Sequence, residues 1–294
     1  MKPLVGCEVY MAPGSRKDKD AASARDAAYH FLLLAQDDVG YHNLLHLVTE
    51  AHLTGFYYKP RIDRELLSKH HDGLIATSAC LKGEVAQNLM EGQRDKALDF
   101  VRFCKDLLGD RFYLEIQNHG IEAQRKVNPE IAAIAKQHGI KLVATNDVHY
   151  IEKEHAKAHD AFICIGTASL LDDEKRKRYS TEEFYYKTAQ EMQAALGEFP
   201  DALRNTLEIA ERCNVLIDFK TNRYPAFEPP TGKTRAEFLR ELVSEGIQRH
   251  YGFDSHTKSP TPEQKHIQER LHLELHVLEK TGFLSYFLIV WDFI

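Results

Sequence analysis

An acidic residue and a histidine two positions apart follow a short apolar run. Residues 139–143 read Gly-Ile-Lys-Leu-Val, a pattern typical of a buried strand in a parallel sheet, and Asp147 and His149 come just after it. If the backbone stays extended there, both side chains point to the same side. A carboxylate and an imidazole that converge at the end of a strand predict a metal site. The pair fits equally well an aspartate that caps the next helix and a histidine packed at its start.

Three further candidate ligands lie at or near the ends of predicted strands. Glu8 lies in a strand over 4–10, and His30 opens a strand over 30–35. The polar segment 11–28 between them is predicted as a loop, and an antiparallel pairing across it would make Glu8 and His30 neighbours. Cys80 ends a third apolar strand over 73–80. Cysteine alone is more often a small buried hydrophobe than a ligand.

Oxygen, nitrogen and sulfur donors together suit Zn or Mn better than Ca or Mg. A cluster of such ions neutralises phosphate charge and activates water, which is typical of a phosphoesterase. The five candidates are scattered along the chain and form no compact signature. A serine or cysteine hydrolase is a weaker interpretation, because no nucleophile lies on a recognisable elbow. The sequence contains neither a Walker loop nor a G-x-G-x-x-G motif.

Strands and helices alternate along the first two thirds of the chain. This pattern predicts an α/β fold with parallel strands. A further strand is predicted over 111–116, and helices over 40–52, 83–104, 128–137, 156–165, 181–196 and 201–213. A proline-rich stretch then marks a linker over 214–231. Beyond it we expect a helix over 235–250 and a second helix that opens on a capping box at Thr261 and ends at Gly282.

The overall charge does not indicate nucleic-acid binding, because the 294 residues carry a formal net charge of -6 and the pI is near 6.2. Two local patches are candidates for DNA proximity. They contain Tyr58, Lys59 and Arg61 in one and Lys175 and Arg176 in the other. The alternatives are an ordered surface loop for the first patch and a solvated face for the second.

Five scattered cysteines without a C-x-x-C pair favour reduced thiols in a cytoplasmic protein. The sequence opens directly on a strand-like run, which does not have the form of a signal peptide. The longest apolar run, near residues 287–290, is too short to span a membrane.

Seven segments, in order along the chain, resemble one family. They are Gly6–Tyr10, Tyr57–Arg61, Ser78–Leu81, Tyr113–Gln117, Ala144–Tyr150, Asn205-Thr206 with Ala210–Cys213, and Gly282-Phe283 with Tyr286–Val290. The family is the alpha subunit of bacterial DNA polymerase III, the C-family replicative polymerase, and the resemblance covers essentially the whole chain. It implies a polymerase and histidinol phosphatase (PHP) domain over 1–213, a linker over 214–231 and the start of the polymerase palm and thumb over 232–294.

In this family the PHP domain is a distorted seven-stranded α/β barrel with a metal cluster at one mouth. The resemblance implies an incomplete barrel here, followed by a mainly helical segment. Five residues match metal-ligand positions of the versions that keep the cluster: Glu8, His30, Cys80, Asp147 and His149. The implied ions are Zn or Mn at this site and Mg at the polymerase site.

The implied function is template-directed DNA synthesis by nucleotidyl transfer, with a possible 3′–5′ exonuclease site in the PHP domain. The implied partners are a DNA template-primer, dNTPs and the other holoenzyme subunits, namely the proofreading exonuclease, the sliding clamp and the clamp loader, with no membrane. Two alternatives stay open. One is a stand-alone PHP metal phosphoesterase, and the other is a non-catalytic scaffold that docks a proofreading subunit.

The sequence also departs from the family. The His-x-His and Thr-Asp-His segments that supply the other ligands are absent, and so are the Gly-rich segment and the paired polymerase aspartates, which we expect beyond Ile294. Both ends of the chain look abrupt, so we expect it to be part of a longer protein. An incomplete cluster should bind metal weakly. A barrel without its first strands should leave an exposed edge.

We therefore predict that the 294-residue chain does not extend a DNA primer on its own, because the carboxylates that hold the two Mg²⁺ ions of nucleotidyl transfer are missing. A primer-extension assay with template, dNTPs and Mg²⁺ measures this. Template-directed incorporation by the purified chain would overturn the prediction.

Overall fold

The polypeptide divides into two units, Met1–Leu216 and Ile217–Ile294. The structure is a computed structural model that describes residues 2–21, 23, 27–221, 223–230 and 232–294. The division lies inside the predicted linker, whose predicted end at Thr231 is outside the described residues. Among the described residues, no helix is long and apolar enough to cross a membrane.

The first unit contains seven strands and eight α-helices among its described residues. The strands are β1 Gly6–Met11, β2 Tyr29–Ala35, β3 Phe56–Tyr57, β4 Lys59–Ile62, β5 Leu74–Thr77, β6 Phe112–Ile116 and β7 Lys141–Ala144. The helices are α1 Asp38–Leu53, α2 Arg64–Lys69, α3 Glu84–Met90, α4 Arg94–Leu108, α5 Glu122–His138, α6 Ala156–Thr167, α7 Ala189–Leu196 and α8 Pro200–Arg212. Short 3-10 helices cover Gly109–Arg111 and Lys153–His155.

The strands form one mixed sheet in the order β3-β4-β1-β2-β5-β6-β7. Strands β5, β6 and β7 are parallel, as the alternation of strand and helix predicts. Strand β2 is antiparallel to both of its neighbours, β1 and β5. The α/β class is confirmed. Among the described residues no pairing joins the two end strands, β3 and β7.

The two faces of the sheet have different surroundings, because successive side chains on a strand point to opposite faces. Val9, Phe31 and Leu114 belong to the large apolar core shared with the helices. On β5, β6 and β7 the alternate residues Ile75, Tyr113 and Val143 pack with α8 in a smaller cluster. Glu8, His30 and Glu115 alternate with the large-core residues and therefore lie on the side away from that core.

Two predicted helices differ from the sequence pattern, one by a break and one by a later start. The helix expected over 83–104 is interrupted after Met90, because Gly92 adopts a left-handed backbone with φ 71° and α4 restarts at Arg94. The helix expected over 181–196 starts only at Ala189, where Thr188 forms a capping box with Glu191. The preceding residues are not helical, and Tyr185 among them forms an isolated bridge with Tyr150, in the segment after β7.

Residues 56–61 form a tight hairpin of β3 and β4 and not the ordered loop that we considered. Tyr58, at its turn, has a left-handed backbone with φ 57°. This hairpin packs against the rest of the sheet through β4, which pairs with β1 in parallel.

The second unit contains three helices among its described residues, α9 Arg235–Tyr251, α10 Pro262–Thr281 and α11 Leu284–Phe293. The predicted capping box at Thr261 is present, and Gly282 ends α10 in a left-handed conformation, as expected. Phe238, Leu239, Leu275 and Leu288 form the core of this unit. The predicted apolar face of α10 is only partly covered, since Leu275 is its one buried residue.

Arg61 is a structural residue of the first unit. Only 2% of its surface is exposed. Its guanidinium donates to the backbone carbonyl oxygens of Gly55, Ala27, Arg16 and Asp18 at 3.1, 3.4, 2.8 and 2.6 Å. These bonds tie the long loop after β1 to strand β4. Arg61 was a candidate for DNA proximity, and its burial argues against that role. Its guanidinium N–H groups already bind backbone carbonyl oxygens and are not available to DNA.

We predict that Arg61→Met lowers the free energy of unfolding by about 3 kcal/mol, because it leaves buried carbonyl groups without donors. Lys59→Met is the matched control, since Lys59 lies on the same strand with an exposed side chain. Urea unfolding followed by circular dichroism measures both. Equal effects of the two substitutions would contradict this role for Arg61.

Candidate metal centre

Glu8, His30 and Cys80 converge at one end of the sheet. The His30 Nδ1 atom lies 2.8 Å from Glu8 Oε1 and 3.9 Å from Cys80 Sγ. One potential ligand atom from each residue lies within 4.8 Å of the others. The predicted antiparallel pairing accounts for the first contact: Tyr10 is opposite His30, so Glu8 lies two residues along the neighbouring strand on the same face. A carboxylate, an imidazole and a thiol therefore face a common point.

The loop after β5 positions Cys80. Ala79 adopts a left-handed backbone with φ 59°, which turns the chain sharply after the strand. The Gly83 N–H then donates to the Cys80 carbonyl oxygen at 2.8 Å. A β-carbon at Gly83 would lie 2.1 Å from the Ser78 carbonyl oxygen, so only glycine allows this close approach. The bridge between Gly83 and His30 anchors the loop to β2.

Asp147 and His149 approach each other by a turn and not along an extended strand. Asp147 has φ 48°, so the extended geometry expected from the sequence is wrong. The two side chains still meet, with His149 Nδ1 3.9 Å from Asp147 Oδ1 and 2.8 Å from the Asp147 carbonyl oxygen. Because a carbonyl oxygen only accepts, Nδ1 carries the proton and Nε2 carries the lone pair.

The Tyr179 hydroxyl occupies that lone pair. It donates to His149 Nε2 at 3.0 Å, and its ring packs edge-on against the rings of His149 and Phe184. An Nδ1–H bonded to a carbonyl and a free Nε2 is the usual form of a metal-binding histidine. A cation at His149 would have to displace the Tyr179 hydroxyl.

All five predicted ligands line one cavity of about 260 Å³. The structure thus brings Asp147 and His149 to the same cavity as Glu8, His30 and Cys80. Three cationic residues that sequence reasoning did not assign to this site also line it: Lys82, Lys177 and Arg178. The sequence feature that could have pointed to Lys177 and Arg178 is the aromatic residue Tyr179, which directly follows the basic run. Cationic side chains around carboxylates suit a phosphate-bearing ligand.

The electrostatics of the cluster follow from its partial burial. The hydrogen bond from His30 lowers the pKa of the Glu8 carboxyl, against the opposing effect of burial. Burial raises the pKa of the Cys80 thiol to about 11. Cys80 is therefore protonated at neutral pH, and a cation that binds its sulfur must release that proton.

A buried polar layer supports the ends of β5, β6 and β7 beside the cavity. The Glu115 carboxylate accepts hydrogen bonds from the hydroxyls of Thr77 and Thr145, and from Gln117 Nε2 at 2.9 Å. Burial raises the pKa of Glu115, and these three donors oppose that effect. The layer joins three strands by side chains as well as by their backbones.

The remaining DNA-proximal candidates have different surroundings. Tyr58 and Lys59 are exposed on the β3–β4 hairpin, and Lys175 is also exposed. The Arg176 side chain is 2% exposed and forms a paired hydrogen bond with Asp160 at 2.6 and 2.5 Å. Burial and this ion pair argue against a direct contact of Arg176 with DNA. Its neighbours Lys177 and Arg178 face the cavity instead.

Comparisons with known proteins agree along the chain. Residues 1–119 match the PHP domain, and residues 237–294 match the bacterial DNA polymerase III alpha NTPase domain. The DNA polymerase III alpha subunits of Treponema pallidum and Borreliella burgdorferi are 38% and 39% identical to the whole chain. This chain belongs to the DNA polymerase III alpha subunit family. It covers 24% and 25% of those two relatives, so it spans about a quarter of their length.

A third alpha subunit, from Thermus aquaticus, is 43% identical over 85% of the chain and 21% of the relative. The family assignment confirms the resemblance seen in the sequence. The roles of the individual cavity residues stay predictions.

We predict that Tyr179→Phe raises the affinity of the chain for Zn²⁺ or Mn²⁺ about threefold to tenfold, because the His149 Nε2 lone pair then has no competing donor. Tyr186→Phe is the control, since that side chain is exposed and does not line the cavity. Competition with a chromophoric chelator measures the affinities. An unchanged or weaker affinity in Tyr179→Phe alone would show that the hydroxyl does not compete with the ion.

Proposed function

We propose that this chain is the PHP domain and the start of the polymerase core of a replicative DNA polymerase III alpha subunit. In this proposal the whole protein synthesises DNA on a template by nucleotidyl transfer, and its polymerase site uses Mg²⁺. The observation that supports it is the identity of 38% to an alpha subunit along the entire chain. We place the PHP domain at 1–213, the linker at 214–231 and the polymerase start at 232–294. The division of the chain between Leu216 and Ile217 supports these bounds.

The donor set of the cavity fits a divalent transition-metal ion. Glu8, His30 and Cys80 offer oxygen, nitrogen and sulfur atoms within 4.8 Å of one another, a combination that favours Zn or Mn over Mg or Ca. We propose that these three residues hold an ion, with Asp147 and His149 as further ligands on the same cavity. A bound ion would supply positive charge for a phosphate ester and make a nearby water more acidic.

The chain's own residues would bind and orient the phosphate ester. Lys82, Lys177 and Arg178 line the cavity beside the ligand set and would pair with phosphate oxygens. The Lys177 ammonium lies 5.9 Å from the centre of the Tyr179 ring, so the basic run and the aromatic wall are adjacent. We propose the 3′ end of a DNA strand as substrate, which would make this a 3′–5′ exonuclease site.

The proposed partners follow from the polymerase assignment. They are the template-primer, the dNTPs and three holoenzyme components: the proofreading exonuclease, the sliding clamp and the clamp loader. We also infer a cytoplasmic location, since the relatives are named as subunits of a DNA polymerase.

We predict that the chelator-treated chain binds Zn²⁺ or Mn²⁺ and that His30→Ala or Cys80→Ser weakens binding about tenfold or more, because each removes one of three converging donors. His250→Ala is the control, since this histidine is exposed in the second unit. Circular dichroism shows whether each variant keeps the wild-type secondary structure.

Absence of saturable metal binding by the wild type would overturn the metal proposal and leave the scaffold role as the better interpretation. Equal affinities of His30→Ala and His250→Ala would place any bound ion elsewhere on the chain.

A further inference from the structure

A second cavity, of about 300 Å³, adjoins the metal cavity. We call it the side cavity. It lies between α6 and the residues that follow the basic run, and its lining includes Tyr150, Lys157, His159 and Ile163. Arg178 and Tyr179 line both cavities, so a single molecule could occupy the two together.

Three aromatic rings form a wall of the side cavity. The His159 ring centre lies 5.2 Å from that of Tyr150 and 5.5 Å from that of Tyr179. Ile163, one turn further along α6, adds an apolar surface. Aromatic rings and an aliphatic side chain around a small cavity are the surroundings in which a planar base stacks.

The charges around the side cavity favour an anionic ligand. Lys157 and Arg178 are exposed at its edge. Of the two acidic residues that line it, Asp160 is neutralised by the paired hydrogen bond with Arg176. One acidic residue, Glu182, and two cations then remain. A nucleotide would use both the rings and the cations, whereas a sugar phosphate has no planar base to stack on the rings.

We propose that the side cavity binds the base and sugar of a nucleotide whose phosphate lies in the metal cavity. This rests on the phosphate-ester site proposed above, and it names the residues that would receive the terminal nucleotide of the proposed DNA substrate. Arg178, between the two cavities, pairs with the phosphate, and His159 stacks on the base. The cavity volume lies at the lower end of the range for small-molecule sites, which suits one nucleotide.

The test compares two probes that share a phosphate, deoxyadenosine monophosphate and deoxyribose 5-phosphate, by calorimetry on the 294-residue chain without metal. We expect the nucleotide to bind about tenfold more tightly, because only it can stack. His159→Ala should remove this preference. Phe162→Ala should keep it, since Phe162 is the exposed neighbour on the same helix and does not line the cavity.

A second variant keeps the test valid if His159→Ala does not fold. Ala156→Leu adds bulk to the cavity wall without removing a contact, and it should also abolish the preference. Thermal melts of all variants accompany the titrations. Equal affinity for the two probes in the wild type, or equal behaviour of His159→Ala and Phe162→Ala, would overturn the proposal.

The metal titration separates this inference from the function proposed above. A preference for the nucleotide in a chain that binds no metal would retain the side cavity as a nucleotide site and reject the phosphoesterase site. Metal binding without any preference for the nucleotide would retain the metal site and reject the side cavity as a nucleotide site.

Discussion

The register between β1 and β2 is the constraint on which the candidate site depends. With Tyr10 opposite His30, the carboxylate of Glu8 and the imidazole of His30 share one face of the sheet and meet at 2.8 Å. A slip of one residue would send one of them to the opposite face, because side chains alternate along a strand. The same slip would move Val9 or Phe31 out of the large core. Apolar packing on one face thus fixes the geometry of the polar groups on the other.

The other ligand positions depend on the turns at the ends of the strands. Cys80 and Asp147 come after β5 and β7, and both segments turn through a left-handed residue, Ala79 in one and Asp147 itself in the other. The buried Glu115 between them joins the ends of these strands through the hydroxyls of Thr77 and Thr145. The backbone turns and the buried carboxylate together hold two loops over the same cavity.

Sequence reasoning found the parts of the site that depend on strand pattern and failed where single backbone conformations decide. Apolar runs on either side of a polar loop were enough to predict the hairpin, and with it the contact of Glu8 with His30. The break at Gly92 and the turn at Asp147 could not be read from periodicity, because each rests on one residue with a positive φ. A glycine within an apolar repeat is compatible with a continuous helix as well as with a break.

The basic run 175–178 shows a different limit. Its four side chains look alike in the sequence, yet Arg176 is buried against Asp160 whereas Lys177 and Arg178 face the cavity. Which of them faces the site depends on the non-helical path of the segment before α7, and no local pattern specifies that path. Residues 181–188, predicted as the start of a helix, are not helical, and Tyr185 among them forms an isolated bridge with Tyr150.

The left-handed backbone at Asp147 restricts how this site can change during evolution. Only glycine, asparagine and aspartate adopt such a conformation at low cost, so most substitutions at this position would strain the fold whether or not a metal is bound. A lineage that abandons metal binding meets no such backbone restriction at His149, but at position 147 it has only a narrow set of unstrained replacements. Asparagine would keep the turn and remove the charge. The backbone requirement therefore favours a residue of the same shape as aspartate at this position even where no metal is bound.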